Sequence, residues 1–203
     1  MKKIWIIAAD RKEIPGIDLL LKNNTPSAWN MEFHTCGIGL FESFYGLTSL
    51  LNIAANEKKP PDAVLLAGTA GSPNAEDLFK ISLANQFVNP QFNFEELPEF
   101  LPRRWATFAI DGIKTPNKVL SVPVYSAFGV SKTGDHLSDS MSGAWENMEA
   151  LSLSYACLKR QIPFMALLCC TNQICPDGRK QWRQNYQKAG EILFETLKIL
   201  LKD

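Results

Sequence analysis

The sequence predicts an α/β fold: a mostly parallel, twisted central sheet flanked by helices, built by residues 1–203 as a single domain. Three observations carry this expectation. Short apolar runs of strand length alternate with helical patterns along the chain, the mark of strand-helix-strand units. Two of the runs end in glycine turns and a third in Thr-Asn, and the strand ends of a parallel sheet gather along one edge. A length of 203 residues suits one well-packed core and is short for two.

The elements follow in order. Lys3–Ala9 and Ala63–Ala67 are short apolar runs that read as strands. Met31–Cys36, Ile81–Val88, Val119–Val124 and Phe164–Cys170 read as further strands, and Phe41–Ala55 and Asn147–Arg160 as helices. The final helix, Trp182–Leu201, is the clearest. Its Trp182, Tyr186, Ala189, Leu193, Leu197, Leu200 and Leu201 recur at helical spacing, with Lys188, Glu191, Glu195, Lys198 and Lys202 mostly opposite. Two stretches break the rhythm. Residues 89–118 mix prolines and aromatics without a steady period, and an ordered excursion packed by its aromatics is expected there. Residues 132–149 (KTGDHLSDSMSGAWENME) read as a loop leading into a helix start.

Charge excludes some partners. Lys plus Arg and Asp plus Glu both number 21 and neither sign forms a long run, which argues against nucleic acid or an anionic membrane. The six apolar residues before Asp10 are too few for a signal peptide, and no apolar stretch approaches the ~20 residues of a membrane span. Five cysteines without paired spacing, and two isolated histidines, His34 and His136, give no metal-ligand pattern. A cytoplasmic protein with reduced thiols and no cofactor is the expectation.

The candidate chemistry sits at the strand ends. CGIGLFES (36–43) places Gly-x-Gly between strand and helix, where backbone N–H groups approach an anion, although Glu42 at the third position spoils a dinucleotide fingerprint. AGTAGS (67–72) brings backbone close to a ligand, with Thr69 offering a hydroxyl; a plain turn would need glycine equally. Asn172 closes an apolar strand, and a buried amide there needs partners from the protein or from a ligand. Glu13 follows the first strand and Glu149 stands at a helix start. Each reads singly as a solvated acid, and together at one crevice they read as a base and a hydroxyl binder.

These motifs resemble a known family. KIWIIAADRKEI, CGIGLFES, AGTAGS and NMEALSLSYACLKRQIPFMALLCCTN are similar, in order and spacing, to segments of the purine nucleosidases related to methylthioadenosine/S-adenosylhomocysteine nucleosidase, within the nucleoside phosphorylase superfamily. ENME (146–149), Asn172 and PDGRKQW (176–182) resemble futalosine hydrolases most, since the methylthioadenosine enzymes carry Asp at the position of Asn172. The strand departs from the family in reading ALLCC where relatives commonly have an arginine.

The resemblance implies hydrolysis of a purine N-glycosidic bond without a cofactor or metal: futalosine to hypoxanthine and dehypoxanthine futalosine, a step of menaquinone biosynthesis. The alternatives are a methylthioadenosine/S-adenosylhomocysteine-type nucleosidase and a purine-binding protein without catalysis. By the same resemblance Glu13 is the general base for water and Glu149 grips the ribose hydroxyls. Met148 lies under the sugar, Thr69 near the ribose or water, and Trp182 walls the base. Asn172 donates to the carbonyl of a 6-oxopurine and accepts from N7–H, whereas an aspartate suits a 6-aminopurine. The glycine loops hold no Lys or Arg for phosphate (none over 23–57 or 60–79), which favours water as nucleophile. Relatives form dimers in which the neighbour closes the pocket, and the 89–118 excursion is the expected contact surface.

Overall fold

In the computed structural model, residues 1–22, 29–88, 104–113, 119–126 and 143–201 are described. Most of the 89–118 excursion and of the 132–149 loop, with His136, lies outside them. The strands are β1 (Lys2–Ala8), β2 (Trp29–Thr35), β3 (Ala63–Ser72), β4 (Ile81–Ala84), β5 (Gln86–Val88), β6 (Arg104–Ala106), β7 (Val124–Tyr125), β8 (Trp145–Glu146) and β9 (Phe164–Gln173). The helices are α1 (Ile17–Lys22), α2 (Gly39–Asn56), α3 (Ala150–Lys159) and α4 (Gly178–Leu200), with 3-10 turns at Arg11–Glu13 and Ala75–Asp77.

One sheet runs β2-β1-β3-β8-β7-β5-β6, and β9 lies between β3 and β4. The β2-β1-β3-β9 pairs are parallel, as are β5-β7-β8. β4, β6 and the single Gly71–Glu146 pairing of β3 with β8 are antiparallel. The sheet is covered on both faces, which explains the unbroken apolar runs. On one face Trp5, Ile7, Val64, Leu66 and Leu168 meet Leu47 and Leu51 of α2 and Leu153 and Cys157 of α3. On the other, Ile4, Ile6, Leu65 and Leu167 meet Ile17 of α1 and Ala189, Leu193 and Leu197 of α4. Cys36, Cys157, Cys169 and Cys170 are buried free thiols, and Cys175 is half-buried.

Several boundaries differ from the sequence reading for local reasons. Ile81–Val88 is two strands, because β4 pairs with β9 while β5 turns to β6 and β7. Over 119–124 only a bridge at Leu120 and the start of β7 are extended pairs. The helix expected from Asn147 starts at Ala150, since the Asn147 side chain caps it: Oδ1 accepts from the N–H groups of Glu149 and Ala150 at 2.9 and 2.7 Å. α4 begins at Gly178, a turn before Trp182, because the polar RKQ stretch forms its first turn. Asn172 lies inside β9, which runs on past a bulge. Ala70 pairs with Cys170 and Gly71 with Asn172, so Thr171 is the inserted residue, and its hydroxyl bonds back to the Ala70 carbonyl at 3.2 Å.

Candidate active site

The carboxyl ends of β1, β3 and β9 and the start of α3 surround a cavity of about 950 Å³, at the upper end of the range for small-molecule sites. All six expected residues, Glu13, Thr69, Met148, Glu149, Asn172 and Trp182, line it.

Glu13 is placed by a short capping arrangement. Asp10 caps the 3-10 turn after β1, its carboxylate accepting from the Lys12 N–H at 2.9 Å, and the Glu13 carboxylate reaches back to accept from the Ala9 N–H at 3.1 Å. The Asp-x-x-Glu spacing of this pair is a capping-box signal. α4 holds the turn from behind, where a Cβ on Gly190 would come within 2.6 Å of the Glu13 carbonyl; only glycine permits that approach. Above Glu13, the Thr69 hydroxyl accepts from Trp182 Nε1 at 3.1 Å and donates to Glu13 across a long 3.5 Å. Trp182 stacks on Tyr186 with centroids 5.2 Å apart, so the aromatic wall is two rings deep.

Glu149 faces Glu13 from the α3 side. It is 5% exposed, and its Oε1 accepts from the Gly39 N–H at 2.8 Å. The glycine turn after β2 does present backbone N–H to an anion, and the anion is this carboxylate. Gly39 has φ +83°, a conformation that other residues rarely adopt. Met148 approaches the same turn, with its Cε 3.8 Å from where a Cβ on Gly39 would stand.

Both acids hold their protons unusually tightly. Burial raises Glu13 to about 8, assisted by the charge of Glu149 and opposed by the N–H groups of Ala9 and Asp10. Burial likewise raises Glu149 to about 7, opposed by the Gly39 N–H. A carboxyl titrating near neutrality can both take and return a proton in one cycle.

Asn172 stands at the far end of the cavity, 3% exposed. Its Oδ1 accepts from the Thr171 hydroxyl at 3.0 Å and its Nδ2 donates to the Gln173 carbonyl at 3.1 Å. A side-chain amide offers two donors and two acceptor positions, and among the described residues these bonds use one of each. Two residues of α4 fix the strand end that carries it: Gln181 accepts from the Gln173 N–H at 2.7 Å, and Asn185 donates to the Thr171 carbonyl at 2.8 Å.

Residues outside the sequence reading complete the site. Asn147, beyond capping α3, donates to the Thr69 carbonyl at 2.9 Å and so ties the Glu149 helix to β3. Glu146 and Tyr186 line the cavity, and so do the cations Lys12, Arg179 and Arg183. The glycine loops lack cations, as expected, and the positive charge comes from the 3-10 turn and α4 instead. Arg179 and Arg183 lie four apart on α4, a one-face spacing visible in the sequence. Among the described residues no group of three or more His, Cys, Asp or Glu is placed to hold a metal ion, and no helix is long and apolar enough to cross a membrane.

Fold and site together define an α/β protein with its crevice at parallel strand ends and two carboxyls facing across it. The fold is shared with solved nucleosidase structures. Futalosine hydrolase of Helicobacter pylori strain 26695 has a TM-score of 0.78 to this chain at 18% identity, over 98% of this chain and 97% of that one. Streptococcus pneumoniae MTA/SAH nucleosidase, in complex with 8-aminoadenine, scores 0.83 at 16% identity, over 100% and 99%. A Helicobacter pylori MTAN mutant with 5′-methylthioadenosine in its active site scores 0.80 at 17% identity, over 98% of each chain. No family model matches the chain, and no curated protein is similar to it in sequence.

Proposed function

We propose that this protein hydrolyses the N-glycosidic bond of a purine nucleoside, with futalosine, yielding hypoxanthine and dehypoxanthine futalosine in menaquinone biosynthesis, as the substrate. The observation that carries the reading is one cavity with two proton-holding carboxyls, Glu13 and Glu149, at one end and the buried Asn172 amide at the other. Glu13 takes a proton from water as the water oxygen bonds to C1′ and the C1′–N9 bond breaks through an oxocarbenium-like state. Glu149 accepts from the ribose hydroxyls and adds negative charge beside the developing cation. The departing base takes a proton at N7 from solvent and Glu13 returns its proton to solvent, while the Asn172 carbonyl accepts from N7–H and the Asn172 NH2 donates to O6. Thr69 orients Glu13, Met148 lies under the sugar, and Trp182 walls the base. Mismatching a buried polar edge costs on the order of 1–3 kcal/mol per unsatisfied group, which favours the oxo base at Asn172.

A homodimer is part of this reading, with a different surface from the 89–118 excursion. Ile38, at the cavity rim, is continuous with Phe41, Phe44 and Tyr45 of α2, a row at helical spacing of which Phe41 is 77% and Tyr45 71% exposed. A second copy seated on this row covers both the apolar face and one side of the cavity mouth.

The test is free base released from futalosine, inosine and methylthioadenosine in phosphate-free buffer. Hypoxanthine release supports the reading. Adenine release alone favours the methylthioadenosine alternative, and no release with retained purine binding favours the non-catalytic one. Release only on adding phosphate would make the protein a phosphorylase using Lys12, Arg179 and Arg183.

A further inference from the structure

Asn147 bonds to the supports of both acids in the cavity. It is 5% exposed and lines the cavity. Its Oδ1 accepts from the N–H groups of Glu149 and Ala150 at 2.9 and 2.7 Å, which commits both acceptor positions to the segment that carries Glu149. Its Nδ2 donates to the Thr69 carbonyl at 2.9 Å, and the Thr69 hydroxyl is the one that touches Glu13. The backbone of Asn147 is anchored separately, its N–H donating to the Tyr125 carbonyl at 2.9 Å.

The amide also comes near the acids themselves. A Cβ on Gly68 would stand 3.7 Å from Glu13 Oε2 and 3.9 Å from Asn147 Nδ2, so both groups border the space that a side chain there would fill. An amide nitrogen carries two hydrogens, and the Thr69 carbonyl takes one. The Asn147 side chain favours the charged form of Glu149, as the Gly39 N–H does.

We infer that Asn147 is the positioning residue for the pair of acids: its oxygen fixes the backbone that carries Glu149, and its NH2 spans from the Thr69 carbonyl to the Glu149 carboxylate, holding the two acids in register across the cavity. This rests on the nucleosidase reading proposed above, in which Glu149 accepts from the ribose hydroxyls and must be ionised to do so. A neutral donor at that carboxylate favours the ionised form. The other charged groups in the cavity wall are Glu13, Glu146, Lys12, Arg179 and Arg183. Beyond the wall stand Glu42 in the first turn of α2 and Cys36, whose proton is held by burial and by the charges of Glu149 and Glu13. A neutral change at Asn147 alters none of these charges.

The test reads Glu149 directly, by carboxyl-carbon NMR titration of the full chain labelled at glutamate, with its signal identified by loss in Glu149→Gln. Asn147→Ser and Asn147→Thr keep a capping oxygen for α3 and stay neutral, but are too short to span from Thr69 to the carboxylate. In either variant the Glu149 midpoint is expected to rise from about 7 by about one pH unit, the scale of a lost hydrogen bond to a charged group. At pH 7 the ionised fraction then falls from about half to about a tenth, so kcat/KM on ribosides should drop about fivefold relative to 2′,3′-dideoxy analogues. In wild type the Asn147 NH2 proton resonances should move with the Glu149 midpoint. Resonances indifferent to it overturn the assignment whether or not a variant folds, and so does an unmoved midpoint in a folded variant; both leave the nucleosidase reading standing. A raised midpoint with equal losses on both substrates upholds Asn147 and removes Glu149 from the ribose. Wild type that releases no base loses the nucleosidase reading, and the midpoints still decide Asn147.

Discussion

Glu13→Gln removes a carboxyl that the folded chain holds at about 8 against an ordinary 4.5. Between those values the unfolded chain has released its proton while the folded chain keeps it. Wild-type stability is therefore whole below about pH 4.5 and falls as pH rises, with the full penalty reached only above about pH 8. At about 1.4 kcal/mol per pKa unit the displacement corresponds to roughly 4–5 kcal/mol. Glu13 borders an open cavity, where water raises the effective dielectric, and roughly 1–3 kcal/mol is the part expected in a melt. Glutamine keeps the shape and can still accept from the Ala9 N–H, but it has no proton to lose. The variant is expected to match wild type near pH 5 and to exceed it by about 2 kcal/mol at pH 8.5, or about 4–8 °C in Tm for a chain of this size. Its turnover should fall at least about 100-fold at both pH values, since the proposed general base is gone. Thermal melts of the nucleoside-free proteins across this pH range, paired with base-release assays, measure both effects. A Tm difference that stays flat with pH would refute the burial argument, and near-normal turnover would remove Glu13 from the chemistry.

Other outcomes follow from the same geometry. Asn172→Asp should sacrifice hypoxanthine nucleosides and move preference toward adenine nucleosides. The ratio of the two kcat/KM values is the readout, and an unchanged ratio would mean that the bonds to Thr171 and Gln173 are the whole role of the amide. Glu149→Ala should harm ribosides much more than their 2′,3′-dideoxy analogues, whereas equal losses would indicate a structural role. Because the charge of Glu149 helps raise Glu13, Glu149→Gln should move the Glu13 limb of the pH–rate profile to lower pH; a stationary limb would show the two acids to be uncoupled. Phe41→Asp with Tyr45→Ser should give a monomer by light scattering with weakened nucleoside binding, and a fully active wild-type monomer at assay concentration would defeat the dimer reading.

The parts of the fold that were legible in the sequence are those decided by local pattern. The apolar runs of β1, β3 and β9 and the amphipathic period of α4 are strong signals because both sheet faces are covered. β6 and β8 are three and two residues long, and partners distant in sequence, not a periodicity of their own, make them strands. The same division runs through the site. Glu13, Glu149 and Asn172 stand out as polar groups at the ends of apolar elements. Glu146 and Asn147 sit beside Glu149 in the same short segment, yet their contacts depend on Gly71, Tyr125 and the Thr69 carbonyl, which are assembled only by the fold. The Asp10-x-x-Glu13 capping pair and the Arg179/Arg183 spacing were visible signals of a kind that says how a turn or a helix face is built, without saying that a cavity lies against it.

β3 makes the two ends of the cavity into one site. Thr69 touches Glu13 and Trp182 through its hydroxyl and holds Asn147 through its carbonyl, so one residue sets the Glu13 carboxyl, the aromatic wall and the Glu149 helix. Two residues further along, Gly71 sits between Asn172 and Glu146. At about 3.3 Å per residue the strand holds these two centres roughly 7 Å apart, on the scale of the purine ring system of the proposed substrate. The Thr171 bulge falls where β9 crosses between them, and Gln181 and Asn185 of α4 pin the bulged segment by its backbone. α4 also carries Trp182 and packs through Gly190 against the Glu13 turn. A shift of α4 along its axis would thus move Glu13, the ring wall and Asn172 together, so their mutual spacing depends on the docking of this one helix to β3 and β9.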